Sequence, residues 1–279
     1  EAYVPLVRMH PGVTRIIPIA LRRWRRQLFA ARTWREAGEL RRRLRRYAYD
    51  AIIDTQGLLK SVAVAKLARG PVHGFGRGTA REPFAARFYD RGYEFAPAEH
   101  KIERYRAVAA RALGYTVPPA IDYGIVAPPR PACAPASRYC VLLHSTAREG
   151  KLWQDEAWIE LARSLESRGL ACVLPWGDEP ERKRAERLAA PLGRSSVPPR
   201  LALEEAAGLI AGAEVVVGLD TGLMHLAAAL RVPVVGVFCD SEPLDARPLG
   251  SGPTAFRGGG RTPPSAREVL EAVAEVAPS

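Results

Sequence analysis

The segment 215–230, VVVGLDTGLMHLAAAL, has the residue pattern with the most chemical meaning in this chain. Its apolar run breaks at Asp220, Thr221 and Gly222. It then resumes as small residues with His225 near the start, which predicts a strand, a tight turn and a helix N-terminus. The free N–H groups and positive dipole end of such a helix bind anions, and ligands of open α/β sheets lie beyond the carboxyl ends of strands. The segment therefore predicts a site for a phosphorylated ligand.

Two side chains of this segment also have structural interpretations. His225 lies four residues after Thr221 on the same helix face, where its imidazole would extend the anion site. A lone histidine in an apolar helix is, however, more often a structural residue. The Asp220 carboxylate would repel phosphate, so its predicted functional role is to accept hydrogen bonds from sugar hydroxyls, with a helix N-cap as the alternative.

A second candidate loop is LHSTAREGKLW, residues 143–153, which follows a predicted strand. Its hydroxyls, Thr146 among them, and its cations Arg148 and Lys151 are groups that hold phosphate oxygens. The alternative to phosphate binding is that both cations are simply solvated, as is usual for Lys and Arg in exposed loops. We expect this loop to lie above the carboxyl edge of the sheet, beside Asp220, and this position favours binding.

A third polar segment, PWGDEPE at residues 175–181, follows another predicted strand. Its carboxylates, Asp178, Glu179 and Glu181, have the chemistry to accept hydrogen bonds from ribose or sugar hydroxyls. Capping of the next helix by Asp178, and complementation of the helix dipole by the two glutamates, explain the same residues equally well.

The elements that would position these loops are short apolar strands alternating with helices, a pattern that favours an α/β fold with parallel sheets. The predicted strands are Ala51–Asp54, Tyr139–His144, Ala171–Pro175, Glu214–Leu219 and Val234–Phe238. The predicted helices are Thr33–Tyr47, Leu58–Leu67, Glu82–Tyr89, Ile102–Leu113, Asp155–Arg168, Pro180–Ala190, Glu204–Ala211 and a tail helix within Pro264–Val276. The last four strands are apolar enough to be buried on both faces.

The length of 279 residues fits two domains. The Pro-rich stretch 127–137, APPRPACAPAS, breaks all periodicity and is predicted to be the linker between them. We therefore expect one domain over 1–130, a second domain over 137–263 and a tail helix over 264–279.

The chain has 41 Lys and Arg against 30 Asp and Glu, and its net charge of +11 predicts acidic partners. The Arg-rich segment Arg22–Arg46 is either a solvated helix or a surface attracted to anionic lipid. Nucleic acid is disfavoured, because neither a reading motif nor interleaved aromatic residues accompany the arginines. The four scattered cysteines indicate neither a zinc site nor a disulfide framework and predict a cytosolic protein. No apolar run reaches the roughly 20 residues that span a bilayer.

Five sequence blocks, in this order, resemble the lipopolysaccharide heptosyltransferases of glycosyltransferase family 9. They are YDAIIDTQGLLKS (49–61), GFGRGTAREPFAARFYD (74–90), LHSTAREGKLW (143–153), LPWGDEPERKRAERLA (174–189) and GLDTGLMHLAAAL (218–230). The last block is typical of the whole family, whereas the QGLLKS and TAREP sequences point to type I within it. The resemblance covers nearly the whole chain and implies a GT-B fold, in which two Rossmann-like domains face each other across a cleft.

The resemblance implies transfer of L-glycero-D-manno-heptose from ADP-heptose to Kdo of Kdo2-lipid A, with inversion and without a metal or other cofactor. Thr146 and Lys151 would bind the diphosphate, and Lys151 would offset the charge of the leaving group. Glu181 would bind donor hydroxyls and Leu201 would lie near adenine. The full set of implied donor residues is Thr146, Lys151, Glu181, Leu201, Asp220, Thr221, Gly222 and His225.

Acceptor contacts are expected in the first domain, where cations suit the phosphate and carboxylate groups of Kdo2-lipid A. The candidates are Gln56, Lys60, Arg77 and Arg81. The resemblance also implies a tail helix that returns to the first domain. It further implies a cytoplasmic enzyme held by electrostatic attraction at the inner face of the inner membrane.

Two features depart from the family pattern. The family begins with a strand and a Gly-rich turn that supplies the general base, whereas this chain opens with EAYVPLVRMHPGV (1–13), which resembles the family sequence just after that turn. We therefore expect residues 1–279 to lack the general base, to bind ADP-heptose weakly and to turn over poorly. Asp54 is the substitute base to consider, with a helix N-cap as its expected role. After Phe238 the family tends to have Gly-Pro-Thr-Asp-Pro, where this chain has CDSEP (239–243).

Two other functions stay open. One is a sister transferase of the heptosyltransferase II type, whose acceptor is already heptosylated. The other is a nucleotide-sugar-binding protein without catalysis. Comparison of the two acceptors in one assay distinguishes the first alternative, and calorimetry with ADP-heptose alongside product detection distinguishes the second.

Overall fold

The computed structural model describes residues 3–96, 99–146 and 148–278. The described chain divides into two compact units, one over Arg15–Pro119 and one that joins residues 3–14 with the residues from Ala120 onward. Each unit contains a parallel sheet. A short helix, α1 (Val4–Arg8), precedes the first unit in the chain and belongs to the second. Within the described residues, none of the helices combines the length and the apolar sequence that a membrane span requires.

The described part of the first unit contains a three-stranded parallel sheet with the strand order β1-β2-β3. Its strands are β1 (Ile52–Ile53), β2 (Val72–Phe75) and β3 (Arg91–Tyr93). Its α-helices are α2 (Leu21–Arg26), α3 (Ala31–Leu44), α4 (Leu59–Ala65) and α5 (Lys101–Leu113). Strand β2 is buried along its whole length, because Val72 packs with Val62 of α4 and Phe75 packs with Val108 of α5.

The helix predicted over Glu82–Tyr89 is instead a 3₁₀-helix, Pro83–Phe88, so that prediction was wrong in type. Pro83 has no N–H to donate at the start of the segment, and the chain enters β3 at Arg91, so the segment has only 6 residues. Short connections of this kind favour the tighter 3₁₀ geometry. The other predicted helices and strands are confirmed, with ends displaced by no more than 3 residues.

The described part of the second unit contains a six-stranded parallel sheet with the strand order β6-β5-β4-β7-β8-β9. Its strands are β4 (Tyr139–Leu143), β5 (Ala171–Val173), β6 (Ser195–Ser196), β7 (Val215–Leu219), β8 (Val234–Phe238) and β9 (Thr254–Gly258). After α1, its α-helices are α6 (Asp155–Ser167), α7 (Glu179–Ala189), α8 (Leu203–Ala211), α9 (Gly222–Ala229) and α10 (Ala266–Val276).

Strands β4, β7 and β8 are buried along their whole length, as their unbroken apolar sequences predict. Neighbouring residues of a strand point to opposite faces and therefore enter different layers of the core. Val215 and Val217 pack in one layer with α6 and α10, whereas Val216 packs in the other layer with α8 and α9. Because both faces are covered, the polar residues that follow each strand are confined to the edges of the sheet.

The Pro-rich stretch 127–137 belongs to the second unit, so the prediction of an interdomain linker was wrong. The carbonyl oxygen of Pro129 lies so close to Gly208 of α8 that a Cβ there would meet it at 2.2 Å. Proline removes N–H donors and keeps the stretch out of helix and strand, and the stretch instead packs on the surface of α8. The change of unit follows Pro119, so the predicted boundary at residue 130 was also wrong.

The C-terminal helix α10 belongs to the second unit as well, which corrects the expectation that it returns to the first domain. Its apolar stripe, with Val269 and Ala272 fully buried, packs in the core layer that contains α6 and β7. The helix begins with a capping box, in which Ser265 Oγ accepts from the Glu268 N–H at 3.3 Å and Glu268 accepts from the Ser265 N–H at 2.7 Å.

Replacing Gly208 by Ala is predicted to destabilise the second unit. The new methyl group would collide with the Pro129 carbonyl, and overpacking typically costs about 1–3 kcal/mol, against a gain of roughly 0.5–1 kcal/mol for Ala over Gly inside a helix. Gly38→Ala in α3 is the matched control, because an added Cβ there meets nothing within 4 Å. Urea unfolding should show a lower midpoint for Gly208→Ala only. Equal midpoints for the two variants would contradict this packing of the Pro-rich stretch.

Candidate active site

The loops of the second unit that contain the candidate binding residues follow strands that are neighbours in its sheet. Strands β4, β7 and β8 lie side by side, and parallel strands end at the same edge. The loops that begin after Leu143, Leu219 and Phe238 therefore meet at the carboxyl edge of this sheet.

An ion pair joins the first two of these loops. Lys151 Nζ lies 2.6 Å from Asp220 Oδ2, and the two side chains are only 16% and 18% exposed. Lys151 ends a one-turn 3₁₀-helix, 149–151, and its N–H donates to the Arg148 carbonyl at 3.0 Å. Partial burial strengthens the attraction between the charges and makes either charge costly to leave alone. An anion that approaches Lys151 therefore competes with Asp220 for the same ammonium group.

Helix α9 begins immediately beyond Asp220. Its N-cap is Thr221, whose extended backbone leads into the helix and whose side chain does not cap it. Thr221 Oγ1 is buried and has no hydrogen-bond partner within the described ranges. At Gly222 an added Cβ would meet nothing within 4 Å, so the first turn borders open space. The first-turn N–H groups, which lack helical acceptors, are thus open to a ligand.

The structure also places the two residues with alternative interpretations. Because Thr221 is the N-cap, the alternative N-cap role of Asp220 was wrong. His225 lies in the first turn of α9, and its backbone N–H donates to the Thr221 carbonyl at 3.4 Å. Its side chain is half-buried. The imidazole therefore belongs to the same turn as Thr221 and Gly222, as the spacing predicted.

The remaining polar residues of the loop after β4 differ in environment. Ser145 Oγ lies 2.8 Å from Nδ1 of His144, so this hydroxyl is held by its neighbour. Thr146 is half-buried and Arg148 is exposed. Lys151 is thus the cation of this loop that a specific partner positions.

Arg184 of α7 fixes this loop, and sequence reasoning missed it. It is 8% exposed and donates to the His144 carbonyl at 2.9 Å, to Asp155 Oδ1 at 3.0 Å and to the Trp153 carbonyl at 2.5 Å. These bonds hold both ends of the loop that contains Lys151. Arg184 is one of many charged residues in EPERKRAER. The one feature of the sequence that could have singled it out is its spacing of four residues from Leu188, which places both on the same face of the helix.

His144 is a neutral imidazole beneath the loop. It is fully buried, and its Nε2 has no hydrogen-bond partner in the part of the chain that the structure describes. Burial, followed by the nearby Arg184 guanidinium, lowers the pKa of His144 to about 4. A second positive charge therefore does not develop beside Arg184 near neutral pH.

Two of the three carboxylates after β5 bond backbone groups at the start of α7. Asp178 is the N-cap and accepts from the Glu181 N–H at 3.1 Å, which confirms the capping prediction. Glu181 Oε2 accepts from the Gly177 N–H at 2.7 Å. Glu179 is exposed and lies 3.6 Å from Arg182. The binding of donor hydroxyls by Glu181 stays a prediction.

The predicted adenine contact and the divergent turn lie at other points of this unit. Leu201 is half-buried and packs on the core layer of α8 and α9. After β8, Asp240 lies against the Lys151 loop, since a Cβ at Gly150 would meet Asp240 Oδ2 at 3.3 Å. Ser241 Oγ is buried without a hydrogen-bond partner among the described residues. The turn that departs from the family sequence thus borders the candidate site.

The first unit contains a separate cavity of about 700 Å³ that is rich in cations. It brings together three predicted acceptor residues, Gln56, Lys60 and Arg81, whereas Arg77 is exposed and is not among the lining residues. Lys101 and Arg104 of α5 line the same cavity and were missed by sequence reasoning. Their spacing of three residues on one helix face was the available signal.

Asp54 is buried in the first unit and is fully engaged. Its Oδ1 accepts from the Gln56 N–H at 2.8 Å, and its Oδ2 accepts from Ser61 Oγ at 2.6 Å and from the Tyr89 hydroxyl at 2.8 Å. Helix α4 has Leu58 as its N-cap, so the N-cap prediction for Asp54 was wrong. With three donors on its two oxygens, the Asp54 carboxylate holds its loop in place. Nothing in this geometry supports Asp54 as a substitute for the general base.

Comparisons with known proteins agree with this architecture. The family model of glycosyltransferase family 9 (heptosyltransferase) matches residues 37–271. Lipopolysaccharide heptosyltransferase 1 of Pseudomonas aeruginosa is 42% identical over 245 residues, which are 87% of this chain and 69% of that protein. The protein of the same name from Escherichia coli K12 is 41% identical over 246 residues, 87% of this chain and 77% of that protein.

Among solved structures, E. coli heptosyltransferase WaaC with ADP matches 99% of this chain and 87% of its own, with a TM-score of 0.88 and 38% identity. These matches define a glycosyltransferase with the GT-B fold, as the sequence blocks indicated. The chain belongs to glycosyltransferase family 9, the heptosyltransferases, and is similar to lipopolysaccharide heptosyltransferase 1.

The second unit is predicted to lose stability through His144 as the pH falls from 6.5 to 4. The folded pKa of about 4 lies below the ordinary value of 6.5, so the unfolded chain takes up the proton first. The stabilisation present above pH 6.5 is then lost across this window, by about 3 kcal/mol. Urea unfolding of the protein and of His144→Gln at several pH values measures the effect. Parallel pH profiles for the two proteins would contradict it.

Proposed function

We propose that the carboxyl edge of the second sheet binds ADP-heptose and that the enzyme transfers heptose from it in lipopolysaccharide core synthesis. The Lys151–Asp220 ion pair at the first turn of α9 is the observation that carries this proposal. Helix N–H groups, an ammonium and the Thr221 hydroxyl, which has no partner among the described residues, together suit a diphosphate. The solved E. coli WaaC with ADP-2-deoxy-2-fluoro heptose, 39% identical with a TM-score of 0.82, supports a nucleotide-sugar donor.

The two charges of the ion pair have separate roles in this proposal. Lys151, together with Thr146 of the same loop, binds the diphosphate, and Lys151 stabilises the negative charge that grows as ADP departs. Asp220, released from Lys151, accepts hydrogen bonds from heptose hydroxyls. His225 and the first-turn N–H groups of Thr221 and Gly222 hold the remaining phosphate oxygens. Glu181 and Leu201 complete the set as contacts to donor hydroxyls and adenine.

The transfer is proposed to be inverting and independent of a metal, with the positive charge supplied by the protein. Kdo of Kdo2-lipid A is the proposed acceptor, and Gln56, Lys60 and Arg81 in the cationic cavity of the first unit are its proposed contacts. The Arg-rich segment Arg22–Arg46 is proposed to attract the enzyme electrostatically to the cytoplasmic face of the inner membrane, where a lipid acceptor resides.

The two alternative functions have distinct signatures. A heptosyltransferase of type II would prefer an already heptosylated acceptor. The likeness to the solved E. coli heptosyltransferase II, at 21% identity and a TM-score of 0.70, supports a common fold and does not bear on the acceptor. The identity of 41–42% to type 1 proteins favours Kdo2-lipid A. A binding protein without catalysis would bind ADP-heptose and release no product with either acceptor.

Lys151→Met is predicted to lower kcat for heptose transfer by about 10²–10³-fold, because the leaving diphosphate loses its stabilising cation. Lys183→Met is the matched control, since Lys183 is an exposed residue of α7 and its replacement removes the same charge. Product formation from ADP-heptose and Kdo2-lipid A, with a heptosylated acceptor in parallel, measures the effect. An equal loss of rate in both variants would contradict the role of Lys151.

The acceptor cavity is tested separately. Lys60→Gln and Arg81→Gln are each predicted to raise KM for the acceptor about tenfold, because each removes a charge-assisted hydrogen bond. The affinity for ADP should stay unchanged. Arg77→Gln is the control, because Arg77 lies outside the cavity lining. If Arg77→Gln raises KM as much as the other two changes, the acceptor does not occupy this cavity.

A further inference from the structure

The corner between α2 and α3 exposes three large apolar side chains. Phe29 is fully exposed, Trp34 is 67% exposed and Leu28 is 52% exposed. Trp34 Nε1 donates to the Leu28 carbonyl at 2.8 Å, so these residues form one cluster, here called the apolar corner. Single exposed apolar residues are ordinary, whereas an exposed cluster marks an interaction surface.

Several polar backbone groups in and beside the apolar corner are already bonded. The Gln27 carbonyl accepts from Thr33 Oγ1 at 2.8 Å and from the Ala30 N–H at 3.1 Å, and the Gln27 N–H donates to the Trp24 carbonyl at 3.0 Å. The Leu28 carbonyl accepts from the indole of Trp34. Transfer of the turn out of water leaves these bonded groups satisfied, which lowers part of the usual cost.

The two helices that carry the apolar corner are fastened to each other. Glu36 of α3 accepts from Trp24 Nε1 of α2 at 2.7 Å, from Arg23 at 3.2 Å and from Arg32 at 2.8 Å. Thr33, at the base of the turn, is buried. The exposed side chains are thus held outward by a fixed scaffold.

Exposed arginines flank the apolar corner. Arg25 and Arg26 precede it on α2, and Arg35 follows it on α3. Apolar tips with a basic surround bind anionic bilayers, because the tip enters the boundary between headgroups and chains while the cations meet lipid phosphates. The exposed apolar side chains and the arginines around them therefore match the chemistry of an anionic lipid surface.

We propose that the apolar corner inserts into the headgroup region of an anionic bilayer, with Arg25, Arg26 and Arg35 against lipid phosphates. This inference rests on the membrane attraction proposed above and adds to it a point and an orientation of insertion. Insertion does not depend on heptose transfer, so vesicles without any acceptor lipid test it.

Sedimentation with vesicles measures binding, with phosphatidylcholine alone compared against phosphatidylcholine mixed with phosphatidylglycerol. Leu28→Ser combined with Phe29→Ser is expected to weaken binding to the mixed vesicles about tenfold or more, because apolar burial is lost. The matched control combines Leu113→Ser with Phe84→Ser, residues of the same types that are 58% and 57% exposed elsewhere in this unit. This control should bind like the unchanged protein.

The arginines are tested against a control variant that loses the same number of positive charges. Replacing Arg25, Arg26 and Arg35 by Gln is expected to weaken binding more than the same change at three exposed arginines towards the other end of α3. Those control positions are Arg41, Arg42 and Arg45. Trp34 fluorescence should be quenched by brominated lipid, and Trp34→Phe should abolish that quenching.

Each contrary result has its own meaning. Binding that needs the arginines but neither Leu28 nor Phe29, without quenching of Trp34, would overturn insertion and leave the electrostatic attraction standing. Failure to bind mixed vesicles would overturn both proposals. A dimer in sedimentation equilibrium that the Leu28→Ser and Phe29→Ser pair dissociates would assign the corner to a second copy of the chain and overturn the lipid partner.

Discussion

The ion pair between Lys151 and Asp220 is the interaction on which the candidate active site depends. Its members come from loops after two adjacent strands, and neither is more than about a fifth exposed. Two charges in that position are costly to separate unless each finds a new partner. A diphosphate beside a sugar offers both partners at once, an anion for Lys151 and hydroxyls for Asp220. The free protein thus keeps its binding groups neutralised and close to where the proposed donor needs them.

The fold supplies the precision that this pair requires. Strands covered on both faces fix the edge of the sheet, and buried Arg184 ties both ends of the Lys151 loop through the carbonyls of His144 and Trp153. Burial keeps His144 neutral at physiological pH, so His144 adds no positive charge beside Arg184. Loss of these Arg184 hydrogen bonds would therefore displace Lys151, although Arg184 itself is not proposed to contact a ligand.

The elements of this arrangement that depend on short stretches of sequence, such as buried strands and helix caps, were predictable. Unbroken apolar runs predicted β4, β7 and β8, and the Asp178 cap followed from its position before a helix. The position of the Lys151 loop beside Asp220 was predicted and is confirmed. The ion pair itself joins residues 69 positions apart and depends on β4 and β7 being neighbours in the sheet. Arg184 resembles its solvated neighbours until its burial is known. The Pro-rich stretch was misjudged because absent periodicity excludes helix and strand but does not exclude packing on α8.

Calorimetry of ADP and ADP-heptose with Lys151→Met and Asp220→Asn is the most direct test of the competition between the two loops. The proposed site predicts that Asp220→Asn binds ADP more tightly than the unchanged protein, because Lys151 loses its competing partner and a repelling charge is gone. Lys151→Met should bind ADP more weakly, and the advantage of ADP-heptose over ADP should vanish only in Asp220→Asn. If Asp220→Asn weakens ADP binding as much as Lys151→Met does, the diphosphate does not replace Asp220 at Lys151.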